Sequence, residues 1–195
     1  FEENFRRLIR LKKLIWNNSV SRQNTKQVSP LDFRNLKLLQ ELVMNFCTGY
    51  VHTPIIGSKI IEKISFIGTP ITDISIPETT TLTELHLPHT MVNLALKNLP
   101  NLASFTIQSV GDLTTVNIEN AGVADTAIAN AFIDHVSNSG TLKVYQGRIT
   151  IPDTPEFTDD KFWKLKDALD AYLKESSTNP NYQFDAFTPK ADNDN

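Results

Sequence analysis

Apolar residues recur along the chain in a nine-residue pattern, with apolar side chains at positions one, four and six and a small or polar residue at position nine. Residues 82–90 (LTELHLPHT) and 71–79 (ITDISIPET) fit this pattern. Further matches begin at Leu11, Leu39, Ile61, Met91, Leu102 and Leu113. Apolar residues alternate between positions four and six, which predicts a short β-strand with one buried face.

The matches fall into two interleaved series with nearly equal steps. Starts at residues 39, 61, 82 and 102 are separated by 22, 21 and 20 residues, and starts at 71, 91 and 113 by 20 and 22. Such short strands are not stable alone, but stacked repeats bury a shared core. We therefore predict an α/β repeat over residues 1–123, irregular to about residue 60. It is a solenoid of about 21-residue coils, each bearing two short parallel strands.

Two segments depart from the regular step. The step from Leu11 to Leu39 is 28 residues, which predicts an excursion from the coil near residues 19–35. Residues 52–58 (HTPIIGS) contain Pro54 and Gly57, which predicts a loop between two coils.

The pattern stops after Ile118, and helical periodicity follows. Residues 125–137 place Ile128, Ala131, Phe132 and Val136 on one face, with Asp125 as the expected N-cap. Residues 141–151 return to strand alternation, and residues 159–176 predict a second helix. Because a solenoid end must be sealed from water, we expect residues 124–187 to form a C-terminal α/β cap. The alternative is an independent functional domain; residues 188–195 are a polar tail.

These motifs resemble a known family. The pattern LxxLxLxxN/C in a repeat of this length resembles the leucine-rich repeat. A strand such as LTELHLPHT, followed by a second strand instead of a helix, resembles the BspA-like subclass of bacterial surface proteins. Similar repeats occur in tail-associated proteins of gut bacteriophages. The resemblance covers roughly residues 36–123. It implies a leucine-rich-repeat solenoid in which Cys47, at position nine, satisfies backbone groups in the turn.

Composition narrows the classes of partner. The 19 basic and 22 acidic residues are scattered, with a formal charge of -3, so we expect no nucleic-acid partner. No apolar run reaches about 18 residues, and we expect no membrane insertion. Since the chain starts at Phe1 in mid-repeat, we expect it to be a piece of a longer protein. Cys47, the single cysteine, excludes an intrachain disulfide, and we expect it to be buried and structural.

Motifs for catalysis are missing from the sequence. No P-loop, dinucleotide-binding turn, nucleophile elbow or zincin helix is present, and no pair of histidines has metal-ligand spacing. We therefore expect no catalytic, cofactor-binding or metal-binding residues, no cofactor and no enzymatic activity. A remote alternative is an enzyme with its site in the cap around His135, Tyr145 and Trp163.

Strand alternation turns positions three and five of each coil outward. The candidate interaction face on the first sheet comprises Glu41, Lys63, Ser65, Glu84, His86, Ser104 and Thr106, with Val43 between them. The second sheet is expected to display Asp73, Ser75, Asn93, Ala95, Thr115 and Asn117. The first face is favoured because it offers more varied chemistry.

The expected function is that of a non-catalytic structural or protein-interaction module. The resemblance implies an adhesion or assembly part of a larger surface protein or of a virion, of the phage-tail type, with a virion or extracellular surface as its location. Its partner would be a protein or a surface polymer, and homo-oligomers or particle assembly are consistent with it. The alternative is a regulatory or effector repeat that binds one defined protein.

Overall fold

Short parallel strands alternate along the chain between two sides of a solenoid. The computed structural model describes residues 7–19, 29–138 and 146–149. The strands are β1 (Lys13–Ile15), β2 (Asp32–Phe33), β3 (Glu41–Val43), β4 (Ile55–Ile56), β5 (Lys63–Ser65), β6 (Asp73–Ile74), β7 (Glu84–Leu87), β8 (Asn93–Lys97), β9 (Ser104–Ile107), β10 (Thr115–Glu119) and β11 (Gln146–Ile149). One helix, α1 (Val123–Ser137), lies between β10 and β11.

The strands that begin at position three of the first series form a five-stranded parallel sheet, β1-β3-β5-β7-β9. Its register aligns equal positions of the nine-residue pattern, so that Lys63 pairs with Glu84 and Glu84 pairs with Ser104 on the neighbouring strands. Lys13 likewise faces Glu41 across the 28-residue step. The predicted stacking and register of the first series are therefore confirmed.

The other side of the solenoid carries two sheets. One is four-stranded, β11-β10-β8-β6, and the other pairs β2 with β4; the described pairs are all parallel. The prediction that residues 52–58 are a loop is wrong, because β4 lies within them. Ile56 is buried, and the Ile55 N–H donates to Leu31 O at 2.8 Å. The excursion predicted near residues 19–35 ends earlier than expected, because β2 at Asp32–Phe33 already forms part of the coil. Residues 20–28 lie outside the described residues.

The core is built from positions one, four and six, as predicted. Leu82, Leu85 and Leu87 are fully buried, and the matching residues of the neighbouring coils belong to the same continuous cluster or, like Phe105 and Ile107, are partly buried and pack against it. Since each coil contributes only a few apolar side chains, its burial depends on the coils above and below it.

The turn that follows each strand, here called the corner, contains a residue with a left-handed backbone conformation in most coils. The backbone at position eight has φ between 50° and 64° in Asn18, Phe46, Gly68, Asn98 and Asn120. Glycine and asparagine adopt this conformation most easily. Four of these five residues are therefore of types that suit the backbone of the corner, and Phe46 is the exception.

Helix α1 begins at Val123, about 21 residues after Leu102, where the next coil of the first series would start. It packs mainly on β9 and less on β10. Ile128 and Phe132 are fully buried, as predicted, whereas the side chain of Val136 lies outside the described residues. The helix thus covers the β9 edge of the first sheet.

The predicted N-cap at Asp125 is wrong, because the helix begins two residues earlier at Val123. Gly122 makes the turn with φ of 60°, and a Cβ there would lie 2.4 Å from Leu102 O. Both carboxylate oxygens of Asp125 lie 3.2 Å from Ala121 N, whose N–H they accept. Asp125 thus closes the turn from inside the helix. Of the strand predicted at 141–151, residues 146–149 are seen as β11; its other residues, the helix at 159–176 and the tail lie outside the described residues.

Replacing Leu85 by Asp should unfold the solenoid, because an unpaired carboxylate would enter the shared core. We expect a loss of about 4 kcal/mol or more. Thr106→Asp puts the same group on the outer side of the sheet, beside His86, and should change stability by no more than about 0.5 kcal/mol. Urea denaturation measures both variants; similar losses would contradict the inward and outward assignment.

Candidate interaction face

The register of the first sheet gathers all seven residues predicted for the interaction face. Position three forms one column across the five strands and position five forms a second column beside it. The first column is Lys13, Glu41, Lys63, Glu84 and Ser104, and the second is Ile15, Val43, Ser65, His86 and Thr106. With neighbouring strands about 4.8 Å apart, each column spans about 19 Å.

The position-three column alternates in charge and neutralises itself. Lys13 Nζ lies 2.6 Å from Glu41 Oε1, and Lys63 Nζ lies 2.5 Å from Glu84 Oε2. The hydrogen bond from Lys63 holds the pKa of Glu84 below its ordinary value, although its partial burial opposes this. Exposed ion pairs contribute little stability. Their effect is to give the face many hydrogen-bonding groups but no net charge.

The position-five column changes from apolar to polar along the sheet. Ile15 is 61% exposed at the β1 end. Toward the β9 end, His86 Nδ1 and Thr106 Oγ1 form a hydrogen bond of 2.9 Å, and His86 Nε2 lies 3.8 Å from Glu84 Oε2. Lys63, Glu84, His86 and Thr106 are therefore linked in one polar group.

Ser65 is not displayed, contrary to the prediction. It is 2% exposed, and its Oγ donates to Asn45 Oδ1 at 2.7 Å. The same Asn45 oxygen accepts the Ile67 N–H at 3.0 Å. Val43, beside it, is also buried. The Asn45 side chain reaches the neighbouring strand and bonds with Ser65 and Ile67. Strand alternation alone does not predict this contact.

Position-nine side chains join the coils at the corner. Cys47 Sγ donates to Trp16 O at 2.9 Å. One coil further on, Thr69 Oγ1 donates to Met44 O and accepts the Cys47 N–H at 3.0 Å. Cys47 is fully buried, which confirms the expectation of a buried structural cysteine.

The outer side of the four-stranded second sheet carries smaller side chains than the first sheet. Asp73, Ser75, Asn93 and Ala95 are exposed, which confirms their predicted outward placement, whereas Thr115 and Asn117 are half-buried and Asn117 Oδ1 is buried. Lys97 Nζ lies 3.5 Å from Glu119 Oε2 at one margin. These small side chains offer fewer contacts than the first sheet.

A grouping suited to metal binding is not found in the described part of the chain. No set of three or more His, Cys, Asp or Glu residues there could hold a metal ion. His52 and His89 are exposed. His135 packs on Gly111, where a Cβ would lie 2.8 Å from its Cε1. Tyr145 and Trp163 lie outside the described residues, so the alternative of a site in the cap is not tested.

Sequence reasoning missed an aromatic group at the corner beside β1 and β3. The rings of Trp16 and Tyr50 meet edge to face with centroids 5.1 Å apart. Phe46, at left-handed position eight, is 52% exposed. The signal was present in the repeat, because an aromatic residue occupies a position that four other coils fill with Asn or Gly and that no other coil fills with Phe, Tyr or Trp.

No family model, curated protein or solved structure matches the chain. The leucine-rich-repeat resemblance therefore rests on the sequence motif. Among the described residues, no helix is long and apolar enough to cross a membrane.

The raised pKa of Cys47 predicts that the protein loses stability at alkaline pH. Burial raises the pKa of its thiol, and hydrogen bonds with the Ser19 backbone and the Thr69 side chain lower it less. The folded protein keeps the thiol proton where the unfolded chain loses it. This contribution to stability is complete below the unfolded pKa of about 8.5 and declines as the pH rises above it.

The matched variant is Cys47→Ser, whose hydroxyl can donate to Trp16 O and does not titrate in this range. Between about pH 7.5 and about pH 10, urea unfolding should show a larger fall in stability for the native chain than for the variant. Tyr50, whose pKa is raised mainly by burial and to a smaller extent by the charge of Cys47, is present in both proteins, so only its Cys47-dependent part remains in the difference. Equal falls would show that the thiol is not protected.

Proposed function

We propose that the chain is a non-catalytic leucine-rich-repeat-type interaction module that assembles or adheres through the outer face of its first sheet. The setting suggested by the sequence resemblance is a larger surface protein or a virion of the phage-tail type. The partner would be a protein surface, in the first place another copy of the chain or a neighbouring subunit.

The observation that carries the proposal is the self-neutralised column of Lys13, Glu41, Lys63 and Glu84 beside His86 and Thr106. Paired surface charges with matching geometry confer specificity of contact more than affinity. A rigid parallel sheet also holds these groups at fixed spacing, which limits the entropy lost on binding. Both properties suit repeated contacts in an assembly.

Self-association tests the proposal. We expect light scattering after size-exclusion chromatography to show higher-order species as the concentration of the chain rises from about 1 μM to about 1 mM. Glu84→Lys should abolish them, because it breaks the ion pair with Lys63 and places two lysines side by side. Asn93→Lys, an exposed change on the second sheet, serves as the matched control and should not.

A chain that stays monomeric throughout this range would contradict assembly and favour a regulatory repeat with one defined partner. Equal loss of association in Glu84→Lys and Asn93→Lys would contradict the choice of the first sheet as the interface.

A further inference from the structure

Phe46 adopts a backbone conformation that its residue type does not favour. Its φ is 56°, in the left-handed region. The equivalent residues with positive φ are Asn18, Gly68, Asn98 and Asn120, types for which this region is accessible. A bulky residue there is an outlier, and such strain at a surface position points to a use other than folding.

The Phe46 ring rests on the next coil instead of entering the core. A Cβ on Gly68 would lie 2.5 Å from Cδ1 and 2.8 Å from Cε1 of the ring, so a larger residue there would force the ring to move. The side chain is nevertheless 52% exposed. One side of the ring is therefore held by the Gly68 backbone, and the rest is presented to solvent.

An amide group is fixed beside this ring. Gln108 Oε1 accepts the Gly68 N–H at 2.9 Å, although Gln108 belongs to a coil two steps away. Its side chain reaches across the position of Pro88, which is buried and has no N–H to offer. Because the oxygen is held by Gly68, the Nε2 group with its two donors is directed elsewhere on this exposed side chain.

The whole corner is free of acidic residues, lysine and arginine. We call it the aromatic corner; it comprises positions seven to nine of the first-series coils, residues 17–19, 45–47, 67–69, 88–90 and 108–110. Charged residues make up 21% of the chain, so about three would be expected among these fifteen. The polar side chains of these residues are mainly amides and hydroxyls, with one imidazole.

We propose that the aromatic corner binds a neutral saccharide. A pyranose would lay its C–H face on the Phe46 ring, and its hydroxyl groups would accept from Gln108 Nε2 and bond with neighbouring amides. An aromatic surface with polar groups at its margin suits a ligand that is apolar on one face and hydroxylated at its rim. The lack of charge favours a neutral sugar over a phosphate or an acidic polymer. This site is separate from the first-sheet face and does not depend on it.

The test is a nuclear magnetic resonance titration of the ¹⁵N-labelled full chain with maltohexaose, cellohexaose and chitohexaose, each up to about 10 mM. We expect at least one sugar to shift the amides of Phe46 and Gly68 and the side-chain amide of Gln108, with Ala95 on the second sheet unchanged. If none of the three sugars shifts these signals, the proposal is overturned.

Three variants test whether the Phe46 ring is the group that binds the sugar. Phe46→Asn, the residue of three other coils, should weaken sugar binding at least about tenfold while raising the thermal unfolding midpoint. Phe46→Trp should retain binding. Ile60→Asn, a control at a 40% exposed aliphatic residue outside the corner, should leave affinity unchanged.

Two further results would overturn the proposal. One is native affinity in Phe46→Asn. The other is a stronger response of the same amides to hexaproline than to any sugar, which would identify a proline-rich peptide site, since such segments also dock on aromatic surfaces. Glu84→Lys should bind sugar normally, which keeps failure of this site distinct from failure of the first-sheet interface.

Discussion

The hydrogen bonds between equivalent positions of successive coils are the interaction on which the rest of the structure depends. Each strand has too few residues to bury a core alone, so the backbone pairing of one coil with the next supplies both the sheet and the core. The corner adds side-chain bonds, such as those of Cys47 to Trp16 and of Asn45 to Ile67. Because this register aligns equal positions, it also determines which side chains become neighbours on the surface.

The sequence predicted the register well because period-two alternation and the repeat length are properties of every coil. It predicted less where a single side chain overrides the repeat. Asn45 covers Ser65, and Gly122 lets helix α1 begin before Asp125. The strand at Ile55–Ile56 was missed because Pro54 and Gly57 predict a loop, whereas only the paired neighbour β2 reveals a strand.

The two surface features follow different physical rules. The first-sheet face is made of charges that satisfy one another along a column, which ties its chemistry to the stacking of coils. The aromatic corner is uncharged, and its main feature, the Phe46 ring, departs from what the backbone favours at that position. One surface is thus a consequence of the repeat, and the other is an exception to it, which is why reasoning from the shared pattern found only the first.

The most direct measurement of the stacked register is a set of backbone nuclear Overhauser effects across the first sheet. Parallel strands about 4.8 Å apart should connect Lys13 to Glu41, Glu41 to Lys63, Lys63 to Glu84 and Glu84 to Ser104 without a break. Contacts shifted by one residue, or missing between any of these pairs, would contradict the solenoid and, with it, the assignment of its outer face.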